Sequence, residues 1–386
     1  MNARFETPKQ LLQPYHYVDP DWYERECRAL FDQAWTFACA ESELAEPGDF
    51  ATLQFMDHPL FVVRDAIGEL RAFHNICRHR GCAVLEGAGN TGSAIMCPYH
   101  RWTYLLDGAL RGVPNEEECF GEVARERHGL KSASVGVYRG LVFVNPSPVP
   151  RDDFATFIAG LDVHGWPHVP GGEDLAFSGE ITYEMHCNWK VFYENAIDGY
   201  HLGYLHDQTL GKVYPSQNIW VDAGRNVVWY STERHGPPQS VPLLSEQLAQ
   251  SAGAPRLAGH ETSEYPGVVM LFPLTIVSPS PWGLFVSLLE PKGPEVTMMR
   301  TLGWAPGGTW RRYAKPEDPA EPIRLRDLEK HPLESGNFQL EDMWIVEKIQ
   351  RSLHSPNFEV GPLAAGDGAE GPLMHFQKQL LEFVEA

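Results

Sequence analysis

Residues 77–108 of this 386-residue chain read CRHRGCAVLEGAGNTGSAIMCPYHRWTYLLDG and hold two short pairs of metal ligands, Cys77 with His79 and Cys97 with His100. Each pair offers one thiolate and one imidazole in a turn between strand-type runs. Two Cys and two His can hold a tetrahedral zinc. They can also hold a two-iron cluster in which both Cys bind one iron and both His bind the other. Zinc fingers usually pair Cys with Cys and His with His, whereas both motifs here are mixed, which suits a cluster with two chemically different irons. Neutral imidazoles in place of two thiolates raise the potential of such a cluster to roughly −150 mV or above. Cys82 adjoins the first pair but fits no ligand position, so it is expected to be a small buried thiol with some sensitivity to oxidation.

A second set of ligands lies in residues 188–206, NWKVFYENAIDGYHLGYLH. His201 and His206 are five residues apart, about 500° of helical rotation, so on a regular helix they diverge by about 140°. For both to reach one metal the helix must end or bulge between them, and Gly203 is placed for that. Two His and one carboxylate on one face of an iron leave the opposite face open, the arrangement of non-haem Fe(II) oxygenases. The carboxylate is sought in residues 338–353, FQLEDMWIVEKIQRSL, where Asp342, Ile345, Val346, Ile349 and Leu353 recur on one helical face. An Asp on a core-facing stripe is costly unless it is paired or metal-bound, which selects Asp342. Glu341 shares its rotation with Lys348 and is expected to face water.

The elements that must carry these groups fall into two halves. Residues 20–35 have helical spacing after Asp19-Pro20. From Gly48 onward FATLQF, HPLFVVRD and ELRAFHNI are strand-type runs, with Ala66-Ile67-Gly68 and Asp107-Gly108 as turns. Residues 135–145 close this strand-rich stretch, and Pro146, Pro148 and Pro150 mark a linker. The second half predicts strands at 178–186, 226–231, 268–277, 284–290 and 296–304, and helices at 189–200, 338–353 and 373–384. Runs of strands with helices packed on them give an α+β class.

Composition narrows the function. The chain is 43% hydrophobic and 21% charged, with a formal net charge of −20. That argues against disorder and against general nucleic-acid binding, which needs a basic face. The N-terminal residues lack a secretory pattern, and the richest apolar window, 267–290, is broken by Pro273, Pro279 and Pro281, so a cytoplasmic protein with no membrane span is expected. Seven cysteines without a secretory signal read as thiols or metal ligands.

Arg80-Gly81, Pro98-Tyr99, Trp102 and Asp107-Gly108 around the first ligand set resemble the Rieske iron–sulfur domain, with Arg101 standing where that family usually has Gly. Asn188-Trp189-Lys190, Glu194-Asn195, Asp198-Gly199-Tyr200-His201, His206 and the distant Asp342 extend the resemblance over about residues 20–380. It is to the catalytic α subunit of the Rieske non-haem iron oxygenases, the aromatic-ring-hydroxylating family. The resemblance implies an all-β Rieske domain over 46–146 and a helix-grip catalytic domain, an antiparallel sheet with helices, over 147–386. An N-terminal helical segment, 1–45, would pack on the catalytic domain. It further implies a [2Fe-2S] cluster on Cys77, His79, Cys97 and His100, a mononuclear Fe(II) on His201, His206 and Asp342, and catalytic roles for Asp198 and Asn195. Family members form head-to-tail trimers, sometimes with an additional β subunit, which would place Asp198 between the His100 side of one subunit and His201 of the next.

The expected function is then a terminal oxygenase taking O2 and a small-molecule substrate. No GxGxxG follows a strand, so electrons must come from a separate NAD(P)H-dependent reductase, with or without a ferredoxin. Arg78, Arg80 and Arg101 could dock an acidic ferredoxin. A Rieske electron carrier would need only about the first 150 residues, and a zinc-stabilised helix-grip binding protein would lack iron. Hydroxylation or dihydroxylation of a small aromatic substrate is the main expectation, from Asp198-Gly199-Tyr200-His201. The alternative is an N-methyl or quaternary ammonium compound, since residues 342–353, Gly361-Pro362-Leu363 and His375-Phe376 look like the choline and betaine branch. Leu205, Leu210, Val213, Met270, Phe272 and Phe285 are the expected pocket walls.

Overall fold

Two seven-stranded antiparallel sheets and one three-stranded sheet organise the chain in this computed structural model, which describes residues 9–161, 168–171, 175–209, 219–232, 257, 268–280, 283–307, 321–364 and 370–385. The first sheet runs in space Thr36–Ala40, Leu141–Asn145, Ser132–Tyr138, Leu70–His74, His58–Arg64, Asp49–Phe55, Ala88–Asn90. The run 135–145 is a tight hairpin rather than one strand. Tyr138 pairs with Leu141, and Arg139 and Gly140 between them have φ of 47° and 76°, both left-handed as a two-residue hairpin turn demands. The small sheet, Ile95–Met96, Thr103–Tyr104 and Leu110–Gly112, carries the loop with Cys97 and His100. The loop with Cys77 and His79 leaves the strand Leu70–His74.

The second sheet runs Ala176–Met185, Val296–Ala305, Gly283–Gly293, Thr275–Ser280, Val268–Leu271, Val227–Thr232, Ile219–Ala223. The stretch 268–277, which alternates like one strand, folds back on itself: Leu271 pairs with Thr275 around the proline at 273. Side-chain alternation gives this sheet two buried faces. Val269, Leu271 and Val277 point to a core shared with Phe37, Leu141 and Phe143 of the first sheet. Met270, Phe272 and Ile276 point the other way, into a core with Trp189, Tyr193, Val346 and Phe376.

That second core is roofed by four helices: α1 (Pro20–Ala29), α2 (Trp189–Ile197), α3 (Phe338–Leu353) and α4 (Gly371–Val384). The Asn188-Trp189-Lys190 triplet locks α2 to α1. Asn188 caps α2 by accepting from the Lys190 backbone N–H, and its amide donates to the Tyr17 carbonyl at 2.9 Å. Glu26 on α1 accepts from the indoles of Trp22 and Trp189 and pairs with the fully buried Lys190 ammonium at 2.6 Å. Charges buried this deeply persist only when paired, so the triplet fixes where α2 starts. α3 spans the residues its apolar periodicity predicts, and Asn337 caps it by accepting from the Gln339 N–H. None of the helices among the described residues is long and apolar enough to cross a membrane.

Candidate active site and cluster loops

α2 ends at Ile197, earlier than Gly203, and Asp198 takes an extended backbone (φ −86°, ψ 112°). The break needed to bring the two histidines together therefore lies before both of them. Residues 201–209 form successive turns, with the Leu205 N–H donating to the His201 carbonyl and the Thr209 N–H to the His206 carbonyl. His201 Nε2 and His206 Nε2 come to 3.2 Å of each other. α3 brings Asp342 Oδ1 to 3.0 Å from His206 Nε2 and 3.6 Å from His201 Nε2. All three ligand atoms lie within 4.8 Å of one another, and Asp342 is buried as the stripe requires.

The surrounding hydrogen bonds decide what this cluster can hold. His201 Nδ1–H donates to Asp198 Oδ2 at 3.1 Å, and His206 Nδ1–H donates to Glu341 Oε2 at 2.6 Å. Ionised carboxylates can only accept, so both Nδ1 atoms carry a proton and both Nε2 atoms face inward beside a carboxylate oxygen, where they can coordinate a metal that displaces any proton of their own. Two imidazole nitrogens and one carboxylate oxygen converging at these distances can all be satisfied by one cation. The ionisation of the side chains shows the same demand. Burial opposes a charged His201, yet Asp198 and Asp342 raise it to about 9. Burial favours a neutral Asp342, yet His201 and His206 hold its carboxyl at about 2. Neutral Nε2 imidazoles and one carboxylate are the donor set of a mononuclear non-haem iron. Asn195, one turn before Asp198, donates from Nδ2 to Asp342 Oδ1 at 2.8 Å and so orients that carboxylate.

Glu341 corrects the sequence expectation. It is 1% exposed rather than solvated, and it accepts from both His206 and the Thr209 hydroxyl, each at 2.6 Å. Lys348 has the same rotation but lies two turns on, where α3 is exposed; the segment 201–209 covers only the first turns of the helix. An acidic residue directly preceding Asp342 was the available signal. Replacing Glu341 with Gln is expected to weaken metal binding at His206 by about 10–100-fold, as loss of a partner to a ligand imidazole does. Iron titration of the metal-depleted protein checks this, and unchanged affinity would show Glu341 to be passive.

The cluster loops have matching backbones. The Cys77 N–H donates to the Cys82 carbonyl and the Gly81 N–H to the Cys77 carbonyl; the Cys97 N–H donates to the Trp102 carbonyl and the Arg101 N–H to the Cys97 carbonyl. Gly81 and Arg101 occupy equivalent left-handed positions, with φ of 76° and 58°. The Gly expected at 101 is thus a conformational requirement, and Arg101 meets it at a cost of roughly 1 kcal/mol. Cys77 and Cys97 are buried, whereas His100 is exposed and His79 half-exposed. His79 stacks on Trp102 with ring planes 9° apart, and the two Nδ1 atoms of His79 and His100 stand 3.1 Å apart. A single zinc would gather all four ligand atoms together. Among the described residues the group of three or more that converges is His201, His206 and Asp342, so the Cys pair and the His pair remain separate, as a binuclear cluster needs.

Tyr104 is a further residue that the sequence reasoning did not single out. Its hydroxyl lies 3.2 Å from Cys77 Sγ and can donate to a ligand thiolate. Hydrogen bonds to cluster sulfurs raise the potential. At about 1 kcal/mol for the bond, Tyr104→Phe should lower the one-electron potential by on the order of 40 mV. A potentiometric titration of the cluster absorbance tests it, and an unchanged midpoint would remove Tyr104 from the tuning. Cys82 is half-exposed rather than buried, and its thiol donates to the Ala83 carbonyl at 3.3 Å.

Of the expected pocket walls, Leu210 and Val213 lie outside the described residues. Met270 and Phe272 are core residues, with Phe272 packed on Phe376 and Phe383 of α4. Phe285 is 43% exposed.

A Cys/His loop pair on one sheet and a two-His, one-carboxylate group on another element set offer two separate metal centres. Comparison with known families agrees. Residues 34–133 match the Rieske [2Fe-2S] domain, and residues 173–386 match the ring hydroxylating alpha subunit (catalytic domain). The chain belongs to this family, the ring hydroxylating alpha subunits with a Rieske [2Fe-2S] domain ahead of the catalytic domain. It is similar to the large subunit of anthranilate 1,2-dioxygenase from Acinetobacter baylyi, with 34% identity over 206 residues, 53% of this chain and 44% of that protein. It is also similar to the oxygenase subunit of glycine betaine monooxygenase from Chromohalobacter salexigens, with 35% identity over 206 residues and the same shares. The chain thus spans about half the length of the curated relatives it matches. In fold it resembles the quaternary ammonium Rieske monooxygenase CntA, with a TM-score of 0.74 and 21% identity over 98% of this chain and 96% of that one.

Proposed function

We propose that this chain is the terminal oxygenase of a multicomponent system and that it oxidises an N-methyl or quaternary ammonium compound. The convergence of two imidazole Nε2 atoms and a carboxylate oxygen, from His201, His206 and Asp342, is the observation that carries the oxygenase reading. Bound there, iron supplies O2 activation, and a cluster on Cys77, His79, Cys97 and His100 supplies electrons singly. The chain's own residues do the positioning. Asn195 holds the Asp342 carboxylate, Asp198 and Glu341 fix the tautomers of His201 and His206, and Trp102 fixes the His79 ring. Electrons come from a separate NAD(P)H-dependent reductase, with or without a ferredoxin. The chain acts as a homotrimer, alone or with a β subunit, in which Asp198 meets the cluster histidines of a neighbouring copy. Arg78, Arg80 and Arg101 surround those histidines, and among the described residues none of the three forms a salt bridge.

The ammonium reading is supported by the 35% identity to glycine betaine monooxygenase. It departs from the aromatic substrate that Asp198-Gly199-Tyr200-His201 suggests. The aromatic reading keeps support of its own, including the 34% identity to anthranilate 1,2-dioxygenase. A single turnover decides between them. The protein is reduced chemically, mixed with O2, and offered betaines, carnitine-like compounds, aromatic acids and arenes. Hydroxylation at a carbon bonded to nitrogen collapses to an aldehyde and an amine, so formaldehyde or another aldehyde supports the ammonium reading. A product heavier by two oxygens and two hydrogens means cis-dihydroxylation and overturns it.

A further inference from the structure

A cavity of about 190 Å3 lies between α2, α3, α4 and the N-terminal segment, behind the metal ligands. Its polar lining is Tyr17, Glu194, Asn195, Asp198 and Glu370 together with Gln10, and its remaining walls are apolar, including Ile349 and Leu353 of α3. No Lys, Arg or His lines it among the described residues. The volume is enough for about six waters, and the carboxylates give them partners. Glu194 and Asp198 are four residues apart at the end of α2 and share its cavity face. Asp198 bonds directly to His201, and Asn195 directly to Asp342, so this cavity touches two of the three orienting contacts of the metal site, the third being Glu341 on His206. Glu194 itself takes no part in that site. Its carboxylate accepts from the Tyr17 hydroxyl at 2.9 Å and from Gln377 Nε2 at 2.7 Å.

We propose that Glu194 is a redox-linked proton acceptor, taking a proton from water in this cavity when an electron reaches the metal site beyond Asp198 and Asn195. The step balances: the external donor protein supplies one electron, the Glu194 carboxylate gains one proton from hydronium, and a carboxyl group and water result. In a partly buried region an added negative charge raises the affinity of a nearby carboxylate for a proton. Burial already pushes Glu194 up to about 7, against the lowering effects of Gln377, Tyr17 and Lys190. The titratable and charged groups around it are Lys190 and Asp198 on α2, Tyr17 from the N-terminal segment, Glu26 on α1 through its pair with Lys190, and Glu370 at the start of α4. Glu370 is also raised by burial and is the rival site. The two protons consumed with two electrons and O2 by either kind of oxygenation would then have a local store.

The inference rests on the metal-site reading above, and iron content measured before the experiment separates a failure of that reading from a failure of this one. The iron-loaded protein is reduced chemically without O2 or substrate in weakly buffered solution. Proton uptake per electron is read with an indicator dye from about pH 5 to about pH 9. Reduction raises the Glu194 pKa, so uptake should peak near neutrality and vanish where both redox states are protonated or both ionised. Glu194→Gln should cut the neutral peak by at least about twofold with iron content unchanged, while Glu370→Gln keeps it. Tyr17→Phe removes a donor that favours the carboxylate, so the peak should move to higher pH; this variant carries the test if Glu194→Gln does not fold. Wild-type uptake in Glu194→Gln, loss of the peak in Glu370→Gln alone, or an unmoved peak in Tyr17→Phe overturns the proposal.

Discussion

Replacing Asp342 with Ala is expected to abolish turnover while leaving the iron–sulfur chromophore intact. The carboxylate oxygen is the one anionic atom among the three converging ligand atoms, and it lies 3.0 Å from His206 Nε2. Without it two neutral imidazoles face each other at 3.2 Å and nothing offsets the charge of a divalent ion. The vacated volume lies in the buried interior of α3, and Asn195 loses its acceptor as well. Lewis-acid chemistry is worth several kcal/mol, so activity should fall by on the order of a thousandfold or more. The cluster loops belong to a separate core around Phe61, Cys77, Cys97 and Tyr104, and their absorbance should not change. Iron analysis should find about one metal fewer per chain, the cluster's two remaining. Turnover by this variant at more than a few per cent of wild type would show that Asp342 is not a ligand. Asp342→Asn separates charge from shape, because the amide keeps the volume and can still present an oxygen, but it lacks the charge; it too should be inactive.

The features legible in the sequence are those in which a local pattern and a chemical demand coincide. Helix α3 was readable because an apolar stripe and an Asn cap agree over its whole length, and Asp342 because a lone acid on that stripe needs a partner. The Cys77/His79 and Cys97/His100 pairs, the proposed cluster ligands, stand out because each lies within a single loop. What was not legible depends on position along an element rather than on rotation about it. Glu341 and Lys348 share an angle on α3, yet one is sealed under residues 201–209 and the other is exposed. Conversely Ile349, on the apolar stripe, is 39% exposed where α3 borders the cavity. The helix break was placed at Gly203 because glycine is the usual weak point, but Asp198 ends α2 instead. Its own side chain accepts from the Tyr200 N–H at 2.7 Å, an alternative to continuing the helix that short polar side chains offer. The hairpins at 138–141 and 271–275 were hidden because strand-type residues continue through their turns. Tyr104 reaches Cys77 from another strand, a contact no spacing rule contains.

Asp198→Asn is expected to leave both metal sites filled and to slow electron delivery between them. Asp198 uses both oxygens: Oδ1 accepts from the Tyr200 N–H, which shapes the turn carrying His201, and Oδ2 accepts from His201 Nδ1–H. An asparagine has one acceptor oxygen for these two donors. If the oxygen stays on Tyr200, an NH2 group faces the His201 N–H, and the ring must turn or shift its proton to Nε2, the atom aimed at the metal. If the oxygen goes to His201, the turn loses its anchor but the ligand keeps its tautomer. Either way the negative charge that strengthens the His201 contact is gone, and charge-assisted bonds are roughly twice as strong as neutral ones. His206, Asp342 and Asn195 do not depend on Asp198, so the site retains most of its holding power. Loss of such an orienting carboxylate typically costs about 10–100-fold. That range should appear in the rate at which the reduced cluster is reoxidised after mixing with O2 and substrate, followed by its absorbance in stopped flow, with iron content and cluster spectrum unchanged. An unaltered rate would mean that electrons reach the site by another route. Loss of iron would mean that Asp198 builds the site rather than wires it. A variant with slow reoxidation but full metal content would place Asp198 where the oxygenase reading needs it, on the path between the two centres.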